Sequence, residues 1–122
     1  MSREGRKGAS FEQQVADYMA RRLGDRRIER RVKNGAKDRG DIAGLAIRGH
    51  RAVVECKCCA RSELSEWLKE AERERGNDDA EFGFVVHKRR GCGEKSFGGN
   101  YVTMDLDTLL AIVAGGVGLL ED

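Results

Sequence analysis

Proline is absent from all 122 residues, so the breaks between elements fall to glycine and to polar clusters. Long hydrophobic runs are missing too. The longest, residues 108–120, contains Gly115, Gly116 and Gly118 and falls short of the roughly 20 residues that span a bilayer, so no membrane partner is expected. The opening stretch MSREGRKGAS carries charge with no apolar segment behind it, and no secretory leader is expected. A cytoplasmic location with reduced thiols follows. The cysteines, Cys56, Cys58, Cys59 and Cys92, lack the two Cys-x2–4-Cys pairs of a structural zinc site and read mostly as small buried hydrophobes.

What is present fits a single domain over residues 1–122, with 39% hydrophobic residues to supply one core. The net charge of +2 hides an uneven distribution. Residues 1–40 hold 12 Lys or Arg against 6 acids, and residues 88–95 add Lys88, Arg89, Arg90 and Lys95 against Glu94. Residues 61–81 are acidic, and residues 105–122 carry acids and no base. A basic end and a basic loop on a near-neutral chain read either as a face that meets a polyanion or as solvated surface charge.

Hydrophobic periodicity predicts the elements. A first helix is expected to start at Ser10, which has capping-box spacing to Gln13, and to stop at Gly24. Glu12 shares a helical stripe with Ala16, Met19 and Leu23, the one charge on an otherwise apolar line. Residues 27–33 read as a first strand. Residues 41–47 and 51–59 read as two apolar strands joined by Arg48-Gly49-His50. A second helix over 63–75 places Leu64, Trp67, Leu68 and Ala71 on one face. Residues 82–87 form a fourth strand, 88–100 a flexible glycine-rich loop, and 101–104 a short strand. A last helix is capped by Asp105 or Asp107. The order helix, three strands, helix, two strands, helix (αβββαββα) implies an α/β fold, a central mixed sheet flanked by helices.

The strand pair holds the chemistry. Alternation puts Glu55 and Lys57 on one face of their strand. Pairing about the connection sets Asp41 opposite position 57, so the three side chains converge at one end of the hairpin. Two carboxylates that bracket one oxygen-loving cation can neutralise a phosphodiester and activate a water, and a lysine beside them can orient that water or stabilise charge. A Glu-x-Lys alone equally describes an exposed edge-strand ion pair; Asp41 and the apolar flanks distinguish this one.

Asp41 followed by Glu55-Cys56-Lys57 resembles the PD-(D/E)xK nuclease motif, and the element order is similar to that superfamily's restriction-endonuclease-like core. The chain most resembles the small Holliday-junction resolvases of archaea and phages. The likeness rests on Gly8-Ala9-Ser10-Phe11-Glu12, Arg39-Gly40-Asp41-Ile42, Val54-Glu55-Cys56-Lys57 and Val85-Val86-His87-Lys88-Arg89-Arg90-Gly91, spread over most of residues 8–104. The resemblance implies a Mg2+-dependent DNA endonuclease of recombination and repair, with Mn2+ able to substitute. It implies that Asp41, Glu55 and the backbone carbonyl of Cys56 ligate the metal, that Lys57 is catalytic, and that Glu12 completes or supports the site. Gly40 stands where the motif has proline. Glu70 and Glu72 stand where related nucleases often place a glutamine, which puts any contact from the second helix in doubt.

DNA would be gripped by Arg30, Arg31, Lys33, Lys37 and Arg39 before Asp41, and by Lys88, Arg89 and Arg90 after the fourth strand. Few aromatics accompany them, so recognition by shape and backbone is expected instead of base stacking. Two symmetric cuts in a four-way junction require a two-fold homodimer, with the last helix and the tail Val117-Gly118-Leu119-Leu120 as candidate surfaces. The alternatives are a related nuclease acting on flaps, single strands or duplex DNA, and a DNA-binding module of this fold without activity.

Overall fold

The computed structural model describes residues 3–32 and 37–122, and for residues 3–9 the backbone alone; Lys33, Asn34, Gly35 and Ala36 lie outside the described residues. Helix α1 spans Arg3–Leu23 and so begins before Ser10, which lies inside the helix and caps nothing. The residues ahead of Ser10 include Arg3, Glu4, Arg6 and Lys7, good helix formers with no proline to stop them. Gly24, at φ +62°, ends α1 as expected. The strands are β1 (Glu29–Arg30), β2 (Ile42–Ala43), β3 (Ala46–Ile47), β4 (His50–Lys57), β5 (Phe82–His87) and β6 (Tyr101–Thr103). Helix α2 spans Leu64–Asp78 and α3 spans Leu106–Ala114, with Asp105 as its N-cap.

These strands form one mixed sheet of order β1-β2-β4-β5-β6, with β3 paired to β4. Strands β4 and β5 run parallel; the other pairs are antiparallel. Ala52, Val54 and Cys56 of β4 and Phe82, Phe84 and Val86 of β5 pack with Phe11, Val15 and Ala16 of α1. Val85 packs on the other face, against Trp67 and Ala71 of α2. The central strands are thus covered on both sides, which is why their apolar runs are continuous. Gly83 lets α2 settle close to the sheet, since a Cβ there would meet the Ala71 carbonyl oxygen at 3.1 Å.

The hairpin departs from expectation in two ways. Its turn has two residues, Arg48 and Gly49, both at positive φ (53° and 83°), and His50 already pairs with Ile47. The strand expected over 41–47 is broken into β2 and β3. Ala46 pairs with Arg51 but Ile42 pairs with Val54, so four steps on one strand oppose three on the other. This is a β-bulge around Gly44, at φ +88°, whose Cβ would land 2.0 Å from the Arg27 carbonyl oxygen. Either shift alone would turn Asp41 to the face of Cys56. Together they restore the face and slide Asp41 from beside Lys57 to beside Glu55, about 7 Å along β4.

The first strand is shorter than expected, and β4 ends at Lys57 instead of residue 59. The glycine-rich loop is anchored, not loose: it contains a 3-10 turn, Glu94–Gly99, whose Phe97 ring lies 5.9 Å from Phe11 and 5.2 Å from Tyr18. Among the described residues, no helix is long and apolar enough to cross a membrane.

Candidate active site and metal centre

Asp41 and Glu55 lie on the α2 face of the sheet and are both buried, at 2% and 4% exposure. The Asp41 backbone N–H donates to the Val54 carbonyl at 2.8 Å, and its Oδ2 accepts from the Cys56 backbone N–H at 2.7 Å. These two bonds fix the carboxylate against β4 next to Glu55. Gly40, at φ +93°, turns the chain into this position; a Cβ there would meet Val53 at 2.8 Å and the Val54 carbonyl at 3.1 Å. A residue with a side chain in Gly40's place therefore has no room.

Helix α2, whose contact with the site the sequence leaves in doubt, contributes two acids. Glu70 receives a hydrogen bond from Lys57 Nζ at 2.8 Å. Glu74, one turn further, is fully buried, and neither of its carboxylate oxygens accepts a hydrogen bond. Glu72, between them, points outward and pairs with Arg75 at 2.6 Å. Carboxylate oxygens of Asp38, Glu55 and Glu74 come within 4.8 Å of one another. Asp38 Oδ1 accepts from the Gly40 N–H at 3.0 Å, and Asn77 Nδ2 donates to the Asp38 carbonyl at 2.8 Å, so this loop is tied to the end of α2.

Sequence reasoning missed Asp38 and Glu74, though a signal for Glu74 was present. The stripe Leu64, Trp67, Leu68, Ala71 continues to position 74, where it meets an acid, the same anomaly that singled out Glu12 on α1. Burial, then the facing carboxyls of Asp41 and Glu74, push the Glu55 carboxyl up to about 12. Burial also leads in raising Glu74 to about 7. For Lys57, burial acts to lower the pKa, but the ion pair with Glu70 and the nearby Glu55 outweigh it, and the ammonium is held charged.

Glu12 lies on α1, on the opposite side of the sheet from α2. It is ion-paired to Arg30 at 3.0 Å and stands outside the carboxylate group of Asp38, Glu55 and Glu74. Its charge is felt at the Cys56 thiol, whose pKa burial raises first and the carboxylates of Asp41, Glu12, Glu55 and Glu74 raise further. Cys56 and Cys92 are buried as expected, but Cys58 is half-buried and Cys59 exposed.

The basic residues divide by environment. Arg30 is held by Glu12, and Arg31 Nη2 lies 3.7 Å from Asp78, while Lys37 and Arg39 are exposed; Lys33 lies outside the described residues. Beyond the carboxyl ends of β4 and β5 opens a groove of about 540 Å³ lined by Cys59, Ser62, His87, Lys88, Arg89 and Arg90, among others. Lys88 donates to the Cys92 carbonyl, and Arg89 lies 5.6 Å from the Tyr101 ring centroid. His87, packed 5.2 Å from Trp67 and hydrogen-bonded to Thr103 at 2.7 Å, has its pKa lowered by burial. Comparison with known protein families, with characterised proteins and with solved structures finds no match. The site is therefore read from its own geometry: an acid cluster, then Lys57, then a basic groove, in sequence along one face of the sheet.

The donor set suits a hard divalent cation. Among the described residues the group consists of carboxylates, Asp38, Glu55 and Glu74, and Mg2+ or Mn2+ favours such ligands. Two buried acids beside a third and fourth are electrostatically costly without a cation or protons among them, and the raised Glu55 and Glu74 values express that.

Proposed function

We propose that this protein is a Mg2+-dependent DNA endonuclease with a restriction-endonuclease-like core, acting on branched DNA as a homodimeric Holliday-junction resolvase. One observation carries the reading. Asp41, just ahead of β2, is hydrogen-bonded to Val54 and Cys56 on either side of Glu55, Lys57 takes the next position on the Glu55 face of β4, and the basic groove opens beyond it. The likeness of Asp41 and Glu55-Cys56-Lys57 to the PD-(D/E)xK motif supports it, as does the order of helices and strands around them.

A divalent cation held by Asp41 and Glu55 would supply charge to a scissile phosphate and acidify a bound water. The chain's own part is positional. Asp41 is locked against β4 by the Cys56 N–H, which orients its carboxylate beside Glu55. Glu55 is desolvated on the central strand, where its charge acts at short range. Lys57, kept protonated by Glu70, donates to a phosphate oxygen or to the attacking water. Lys88, Arg89 and Arg90 meet the flanking phosphates.

A second copy would meet the exposed apolar side of α3, where Leu106 and Val113 are 70% and 67% exposed and Leu109 and Leu110 stand between them. Purified protein offered four-way, flap, single-stranded and linear duplex DNA with Mg2+ is expected to make paired symmetric nicks in the four-way DNA, and none in EDTA. Asp41→Asn and Glu55→Gln are expected to be inactive. Cleavage surviving in either variant would sink the site. A monomer on four-way DNA, or equal cutting of linear duplex, would remove the resolvase assignment.

A further inference from the structure

We infer that Asp38, Glu55 and Glu74 form a divalent-cation site of their own, on the α2 side of Glu55 and separable from the Asp41 side. It deepens the proposed function, since Glu55 would be shared between the two sides.

Three observations support it. First, one carboxylate oxygen from each of these residues lies within 4.8 Å of the other two. An oxygen-ligated cation at 2.0–2.6 Å from each ligand places opposite oxygens roughly 4–5 Å apart, so a single ion spans this set with little rearrangement. Asp41 is not in this group: its Oδ2 is committed to the Cys56 N–H.

Second, Glu74 is fully buried with both oxygens unpartnered and aimed into the cluster. A buried carboxylate facing two other acids is strongly unfavourable unless a proton or a cation lies among them, and no basic side chain of the described residues supplies that charge. Among the described residues, no lysine or arginine is ion-paired with Asp38, Glu55 or Glu74; the nearby Lys57 is taken by Glu70.

Third, the site has an opening. Asp38 is exposed at its rim, on a loop fixed by its own bond to the Gly40 N–H and by Asn77, while Glu55 and Glu74 form the floor. All-oxygen ligation selects Mg2+, Mn2+ or Ca2+ over zinc or copper.

The test measures binding in the absence of DNA. Metal-stripped full-length protein is titrated with Mn2+, followed by the loss of the free-ion resonance and by calorimetry. Glu74→Gln and Asp38→Asn are each expected to bind one ion fewer per chain than wild type, or to bind it roughly 100-fold more weakly. Asp41→Asn is expected to retain that ion. Glu72→Gln, exposed on the same helix, should match wild type. Glu74→Gln removes a buried charge and is expected to fold, and Asp38→Asn keeps the Gly40 bond; far-ultraviolet circular dichroism checks both. Equal Mn2+ stoichiometry and affinity in wild type, Glu74→Gln and Asp38→Asn would overturn the site, as would a wild type that binds no ion and leaves Glu55 and Glu74 sharing a proton. A protein that binds the Glu74-dependent ion yet cuts no DNA would remove the nuclease reading and leave this site standing.

Discussion

Glu55 and Glu74 set the pH behaviour of the metal-free protein. Both carboxyls are raised from an ordinary value of 4.5 by burial first, Glu55 to about 12 with help from Asp41 and Glu74, and Glu74 to about 7 with help from Asp38 and Asp41 against a lowering hydrogen bond from Glu55. The folded state therefore keeps protons that the unfolded chain has released, and stability falls as pH rises from about 4.5 through both values. His87 works in the opposite sense, but below its ordinary 6.5. In EDTA, Tm is thus expected to drop between about pH 7 and 9, and Glu55→Gln or saturating Mn2+ should flatten that slope. A Tm that rises over this window in the wild type would contradict the buried acid cluster. In the proposed reaction Glu70, ion-paired to Lys57 at 2.8 Å, would position it. Its loss leaves the burial that lowers the Lys57 pKa less opposed. Glu70→Gln is expected to reduce kcat by about 100-fold with little change in KM, and to move the alkaline limb of the rate profile to lower pH. An unmoved limb would make Glu70 merely structural.

At the level of elements, the bulge at Gly44 decides which face Asp41 joins. Its positive φ and its approach to the Arg27 carbonyl leave no space for a methyl group. Gly44→Ala is expected to destabilise the fold by more than about 3 kcal/mol, read from the urea midpoint, and to abolish cleavage even under conditions where the variant is folded. Gly24→Ala is the comparison. Gly24 also has positive φ, yet a Cβ there meets nothing within 4 Å, so the cost should be only about 1 kcal/mol. Equal costs at the two positions would show that φ alone, and not the crossing of the bulge over Arg27, accounts for Gly44.

Across the whole molecule, charge is sorted along the α2 face, acidic at Asp38 and Glu74 and basic at the groove beyond β4 and β5. The groove cations Arg89 and Arg90 are exposed, whereas Arg30 and Arg31 face Glu12 and Asp78. Binding to duplex arms should therefore depend on the groove more than on the segment before Asp41. Arg89→Ala with Arg90→Ala is expected to flatten the plot of log K against log salt by about 2, near 0.9 for each phosphate no longer neutralised. An unchanged slope would place the DNA elsewhere.

Much of this was legible in the chain itself. The order of helices and strands follows from hydrophobic period and glycine placement. Glu55 and Lys57 share a face because strand side chains alternate, whatever surrounds them. Of the two aspartates that residue type offers as the cap of α3, Asp105 and Asp107, the structure uses Asp105. Local rules could not supply register. Turn length and bulge each moved it by one residue, and only the contact of Gly44 with Arg27 specifies the bulge. Nor could they assign partners for α2, since Glu70 meets Lys57 and Glu74 enters the acid cluster only once Gly83 lets the helix close on the sheet. The basic residues look alike in sequence, and packing alone distinguished those answered by internal acids from those facing the groove. The chain by itself determined which side chains could carry the chemistry, because residue type and period are local properties. The tertiary structure decided which of them meet, because burial, register and charge pairing arise between segments far apart in sequence.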